Sequence, residues 1–157
     1  MAEIEVIIEP GRQDIVTRRV FDAPREVVFR GFTDPELIPQ WWGPRRYDTI
    51  VDRADVRSGG GWRYLNRDAE AEYAFHGVYH DVTAPERVVQ TFEFEGVPGH
   101  VALETALFEE LPDGRTQYTG VSVFQSVEDR DGMAATDMEE GMRESYNRLD
   151  QLLEKLK

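Results

Sequence analysis

The sequence predicts an α+β domain: an antiparallel sheet, two short helices near the start of the chain and one long helix at its end. Three observations predict it. Residues 47–124 alternate runs rich in Val, Thr, Phe, Tyr and Trp with breaks built from Gly, Pro, Asn and Asp, the punctuation of a β-meander. Two helix-start signals follow one another at Asp22-Ala23-Pro24 and Asp34-Pro35. Beyond Met133, apolar residues recur at three- and four-residue steps among charges, the period of an amphipathic helix.

Taken in order, Ile4, Val6 and Ile8 alternate with polar neighbours, Pro10-Gly11 breaks the run, and Ile15 to Phe21 resumes extended residues. The chain therefore opens as a hairpin. Asp22 supplies a capping residue and Pro24 a helix-compatible start, with Val27, Val28, Gly31 and Phe32 on one side of a short helix. Thr33 and Glu36 have capping-box spacing, which gives about one further turn to Gln40 before Gly43-Pro44 ends it. The meander breaks at Ser58 to Gly61, Asn66 to Asp68, Ala84-Pro85, Gly96 to Gly99 and Pro112 to Gly114. Alternation turns one face inward: Trp62 and Tyr64; Phe75, Gly77 and Tyr79; Val88, Gln90, Phe92 and Phe94; Val101, Leu103, Thr105 and Leu107; Tyr118, Gly120, Ser122 and Phe124. A β-bulge near His80 to Val82 would bring both Tyr79 and Val82 to that face. Met138, Met142, Tyr146, Leu149, Leu153 and Leu156 form the stripe of the last helix. Counted from Met133, that helix has ~24 residues and spans ~36 Å, enough to cover a sheet.

A chain of 157 residues and 18.1 kDa is expected to form one domain over residues 1–157, large enough to bury a core without a disulfide or metal staple. It has no cysteine, which excludes a disulfide scaffold, a thiol nucleophile and thiolate zinc. No apolar run approaches the ~20 residues of a membrane span, and the acidic start Met1-Ala2-Glu3-Ile4-Glu5 is unlike a signal peptide, so a cytoplasmic protein is expected. The net charge is −13, with eleven cationic against fourteen anionic side chains in residues 1–78 and seven against seventeen thereafter. Phosphate backbones are repelled by such a surface, and no nucleic-acid partner is expected. The polar face of the last helix is acidic as well, and no membrane partner is expected either.

The order of elements resembles the START-like or SRPBCC superfamily, the helix-grip fold also seen in the birch-pollen allergen. Phe21-Asp22-Ala23-Pro24, Phe32-Thr33-Asp34-Pro35-Glu36, Trp41-Trp42-Gly43-Pro44, Asp55-Val56-Arg57 with Gly59-Gly60, Gly77-Val78-Tyr79 with Pro85-Glu86-Arg87, and Gly141-Met142 with Arg148-Leu149 resemble one branch of it. That branch is similar to the C-terminal domain of the heat-shock-protein-90 ATPase activator. The resemblance implies a curved sheet gripping the terminal helix around a hydrophobic cavity, and it implies no particular reaction.

Within that frame, Trp41 and Trp42 either plug the core or meet a ligand, and the two rings are able to divide those roles. Trp62, Tyr64, Phe75, Tyr79, Phe92, Phe94, Tyr118 and Phe124 put many rings on the concave face, and Met138, Met142 and Tyr146 face them from the helix. These thirteen residues are the expected ligand-binding set. Ser58-Gly59-Gly60-Gly61 lacks the Lys and Ser or Thr of a phosphate loop and reads as a bend. Asp55 and Arg57, sharing a strand face, read as an ion pair. His76 and His80 stand ~13 Å apart on a strand, too far for one metal ion, and neither metal nor cofactor is expected. Glu104, Asp81, His76 and Tyr118 are the nearest candidates for a buried acid or base, and none is assigned a catalytic role. The expected function is binding of a small hydrophobic or aromatic molecule, or a lipid, between sheet and helix. A chaperone ATPase regulator acting through its surface and a cyclase- or hydrolase-like enzyme in the same cavity are the alternatives, and a chaperone or a second copy of the chain is the alternative partner.

Overall fold

The meander folds as a run of antiparallel hairpins, and the opening hairpin closes it at one edge. In the computed structural model, which describes residues 3–157 and so leaves Met1 and Ala2 of the acidic opening aside, the strands are β1 (Glu5–Ile7), β2 (Asp14–Phe21), β3 (Asp48–Ala54), β4 (Gly61–Arg67), β5 (Glu72–Thr83), β6 (Arg87–Phe94), β7 (Val101–Glu110) and β8 (Thr116–Val123). They form one sheet in the order β1-β2-β8-β7-β6-β5-β4-β3, with every pair antiparallel. Between β2 and β3 the chain crosses the concave side through α1 (Arg25–Thr33) and a 3-10 helix (Ile38–Gln40). After β8 come α2 (Val127–Ala134) and α3 (Met138–Leu156), and α3 lies across the sheet in the helix-grip arrangement. No helix among the described residues is long and apolar enough to cross a membrane.

Several expectations are corrected. The terminal helix does not run unbroken from Met133. Thr136 turns its hydroxyl back to the Met133 carbonyl at 2.6 Å, and Asp137 leaves the helical region at φ −82°, ψ 39°, so 19 residues remain in α3. Short polar side chains that bond their own backbone favour such breaks. The unforeseen α2 starts at Ser126, whose Oγ accepts from the Asp129 amide at 3.0 Å. At the first turn-and-a-half, Asp34 rather than Thr33 is the cap, its Oδ1 accepting from the Glu36 amide at 2.9 Å. In β7 the face is inverted: Ala102 and Phe108 are buried, Glu104 and Ala106 face the interior, and Leu103 is 45% exposed. A one-residue difference in register moves every side chain to the other face. Asp55 and Arg57 do pair, at 2.9 Å, but in the loop after β3 rather than on a strand. The register shift between Tyr79 and Asp81 lies where the bulge was expected, and Tyr79 is buried while Val82 packs against the core.

The helix is fixed to the sheet by polar as well as apolar contacts. Leu149 and Leu153 are buried against α1, where a side chain on Gly31 would meet the Leu149 methyl at 3.1 Å. Arg19 of β2 is fully buried, donates to Asn147 Oδ1 at 3.0 Å and to Asp150 of α3, and lies over the Phe21 ring at 5.3 Å. At the other end, Arg148 donates to the Gly43 and Gln40 carbonyls at 3.1 and 3.0 Å, and Ser145 to Gly43 at 3.0 Å. Gly43 takes φ 85° with Asn66 against it, a position no side chain fits easily.

Candidate functional site

Strand, loop and helix leave a cavity of about 370 Å³ between them. Small residues make room for it: Ala102, Ala106 and Gly120 on the sheet and Gly141 on α3 are in its wall. Around these stand the rings. Trp41 is buried and donates its Nε1 hydrogen to the Gly31 carbonyl at 2.9 Å, so it plugs the α1 end while one side meets the cavity. Trp42 is only half-buried and packs edge-on against Tyr64 and Phe75, with centroids 5.1 and 5.3 Å apart. The two tryptophans divide core and wall between them. Trp62 donates Nε1 to the Thr91 carbonyl at 3.2 Å across Gly77, where any side chain would strike that same carbonyl. Tyr118 lays its hydroxyl over Gly120, again where only glycine leaves space, and shares a hydrogen bond of 3.2 Å with the Tyr146 hydroxyl of α3.

Eleven of the thirteen expected residues line the cavity: Trp41, Trp42, Trp62, Tyr64, Phe75, Phe92, Tyr118, Phe124, Met138, Met142 and Tyr146. Tyr79 and Phe94 do not. Tyr79 sits at the bulge, buried in the core behind the wall, and Phe94 packs at the outer end of the sheet against Tyr73 and Phe75. The half-buried Phe124, Met133 and Met138 occur where β8, α2 and α3 meet.

One row of polar side chains crosses this apolar floor. Gln90 on β6, Glu104 on β7 and Ser122 on β8 are cross-strand partners in register, and all three line the cavity. Ser122 donates its hydroxyl to Glu104 Oε2 at 3.2 Å. Oε1 has no protein hydrogen-bond partner among the described residues, and Glu104 is part of the cavity wall. Burial lifts the Glu104 carboxyl from 4.5 to about 7, and the Ser122 hydrogen bond opposes that only in part. Burial likewise raises Tyr118 well above the usual phenol range and pushes Tyr146 up to about 12, so both remain neutral hydroxyls at physiological pH. Glu104 is the one charged residue type in the wall; Lys, Arg, His and Asp are absent from it among the described residues. Of the four acid or base candidates, Glu104 and Tyr118 are here. His76 instead meets Glu95 at 2.9 Å and Asp81 accepts from Thr83 at 2.8 Å, both away from the cavity.

The place of Glu104 in the cavity wall is not evident from alternation alone, which turned it outward. The signal that carries it is Ala102-x-Glu104-x-Ala106, a carboxylate flanked on its own strand face by two small residues. Similarly, Ser126-x-x-Asp129 marks the start of α2.

The family described as "Activator of Hsp90 ATPase homolog 1-like protein" matches residues 22–154. Among solved structures, a protein from Rhodobacter sphaeroides is 25% identical with a TM-score of 0.89, over 98% of this chain and 99% of that one. One from Arthrobacter aurescens is 26% identical with a TM-score of 0.86, over 96% and 91%. CV1439 from Chromobacterium violaceum is 26% identical with a TM-score of 0.80, over 90% and 97%. No curated protein matches the chain.

Proposed function

Since the chain belongs to the family of activator of Hsp90 ATPase homolog 1-like proteins, whose description assigns no reaction to this cavity, we propose that it binds a small apolar or aromatic molecule between sheet and α3. One observation carries this reading: the rings of the interior do not fill it, and about 370 Å³ stays open at the centre of the fold. Pockets for small ligands begin near that size, and are mostly apolar with a few polar groups that fix orientation. Burial of ligand surface supplies the affinity, at roughly 25 cal/mol per Å² before the costs of association.

The test is thermal unfolding with a panel of one- and two-ring aromatic compounds. A ligand at a hundred times its Kd raises stability by about 2.7 kcal/mol, a Tm shift on the order of 5–10 °C for a chain of this size. Met142→Trp, which places a larger ring in the cavity, is expected to abolish the shift with the fold retained. No shift with any compound, and no change in tryptophan fluorescence, would sink the reading.

A second reading, regulation of a chaperone ATPase, is favoured by the family's description alone. It requires that adding this protein change the ATPase rate of an Hsp90-type chaperone; an unchanged rate removes it.

A further inference from the structure

We propose that the ligand carries a protonated amine, seated on the Glu104 carboxylate with its apolar body against the surrounding rings; this rests on the cavity being a ligand site. The geometry points to a cation for three reasons. Glu104 lines the cavity with no positive partner in the wall, and its Oε1 has no protein donor among the described residues. A carboxylate enclosed by apolar groups is strongly disfavoured until a charge of opposite sign reaches it, so the site gains most from a cationic guest. The walls are the second reason. Trp62, Tyr118 and Tyr146 line the same cavity, and aromatic faces attract an ammonium group that has left water. Third, the chain as a whole carries −13, a field that gathers cations and repels anions. Gln90 and Ser122, in register on either side of Glu104, have oxygens left to accept the remaining ammonium hydrogens. The corollary is exclusion: a fatty acid or other carboxylate would put two like charges at the floor.

The titratable groups facing Glu104 are Tyr118 from β8 and Tyr146 from α3, both held neutral by burial, so Glu104 alone sets the pH dependence of the site. Ionisation near pH 7 then couples to amine binding, since the cation selects the carboxylate form.

Four probes test this by calorimetric titration at pH 6 and pH 8: indole, 2-phenylethylamine, 2-phenylethanol and phenylacetate. The amine is expected to bind wild type at least about tenfold more tightly than the alcohol at pH 8, with phenylacetate weakest; an aliphatic amine stays charged at both pH values. Its affinity is expected to rise several-fold from pH 6 to pH 8. In Glu104→Gln the amine and the alcohol should bind alike, with no pH dependence. Indole binding with no preference for the amine, or a preference unchanged in Glu104→Gln, overturns the amine proposal and leaves the cavity reading standing. If indole and all three phenyl probes fail to bind, both fall.

Discussion

Asp150→Ala is expected to destabilise the fold by about 3–5 kcal/mol, lowering the midpoint of thermal unfolding by roughly 6–20 °C. The reason lies in what remains. Arg19 is buried beneath α3 with its charge met by Asp150 and its other side-chain hydrogen bond made to the neutral Asn147 amide. Its Nε has no partner even in the intact protein. Removing the carboxylate leaves a buried guanidinium with no counter-charge, the costly half of a broken ion pair. The intact pair, by contrast, is expected to add little net stability. Burial raises the Asp150 carboxyl above its ordinary range in spite of the attraction of Arg19, so desolvation outweighs the Coulomb gain. The double variant Arg19→Met with Asp150→Leu is therefore expected to recover most of the loss, as apolar replacements of buried ion pairs commonly do. A Tm within a degree or two of wild type for Asp150→Ala would show that water reaches Arg19.

Glu104→Gln is expected to act in the opposite direction, stabilising the protein by up to about 3 kcal/mol above pH 7. The Glu104 carboxyl stands at about 7 in the folded protein against 4.5 when solvated. Between those values the folded state keeps a proton that the unfolded chain has released, so wild-type stability falls as pH rises through this interval and levels off above 7. Glutamine has no such proton to lose, and it retains an oxygen for the Ser122 hydroxyl. Denaturant unfolding at pH 4 should thus find the two proteins nearly equal, and at pH 8 the variant more stable. Parallel stability curves across that range would place Glu104 in contact with bulk water and remove the basis of its perturbed ionisation. On the proposed reading, that lost stability is what the protein gives up to hold a cation at Glu104, in the general trade of stability for function.

Those two sites differ in how far the sequence reveals them. The stripe of α3 and the hairpin breaks are legible because they depend on local periodicity and turn chemistry, and the bulge after Tyr79 because no unbroken register would bury both Tyr79 and Val82. Six of the cavity residues, Trp62, Tyr64, Phe75, Phe92, Tyr118 and Phe124, follow from strand alternation, and Met138, Met142 and Tyr146 from the helical stripe. The face of β7 is not legible that way. Val101, Leu103 and Leu107 outweigh Ala102, Glu104 and Ala106 in hydrophobicity, yet the strand turns its small residues inward because α1 brings Phe29 and Phe32 against Phe108 and the cavity occupies the rest. Register there is set by partners on β6 and β8, so a single strand read alone gives the wrong side. The break before α3 turns on Thr136 bonding its own backbone, a competition that apolar periodicity does not register.

The position of β2 beside β8 has a bearing on how the molecule is made. Their eight paired positions join residues about a hundred apart in the chain, whereas the other seams link neighbours. Loop closure over that distance is costly before any contact rewards it, and such topologies reach the native state slowly. During synthesis β2 therefore waits, without this partner on one side, until β8 has emerged. The cavity, walled by residues of β2, β8 and α3, is complete only once those distant segments have met.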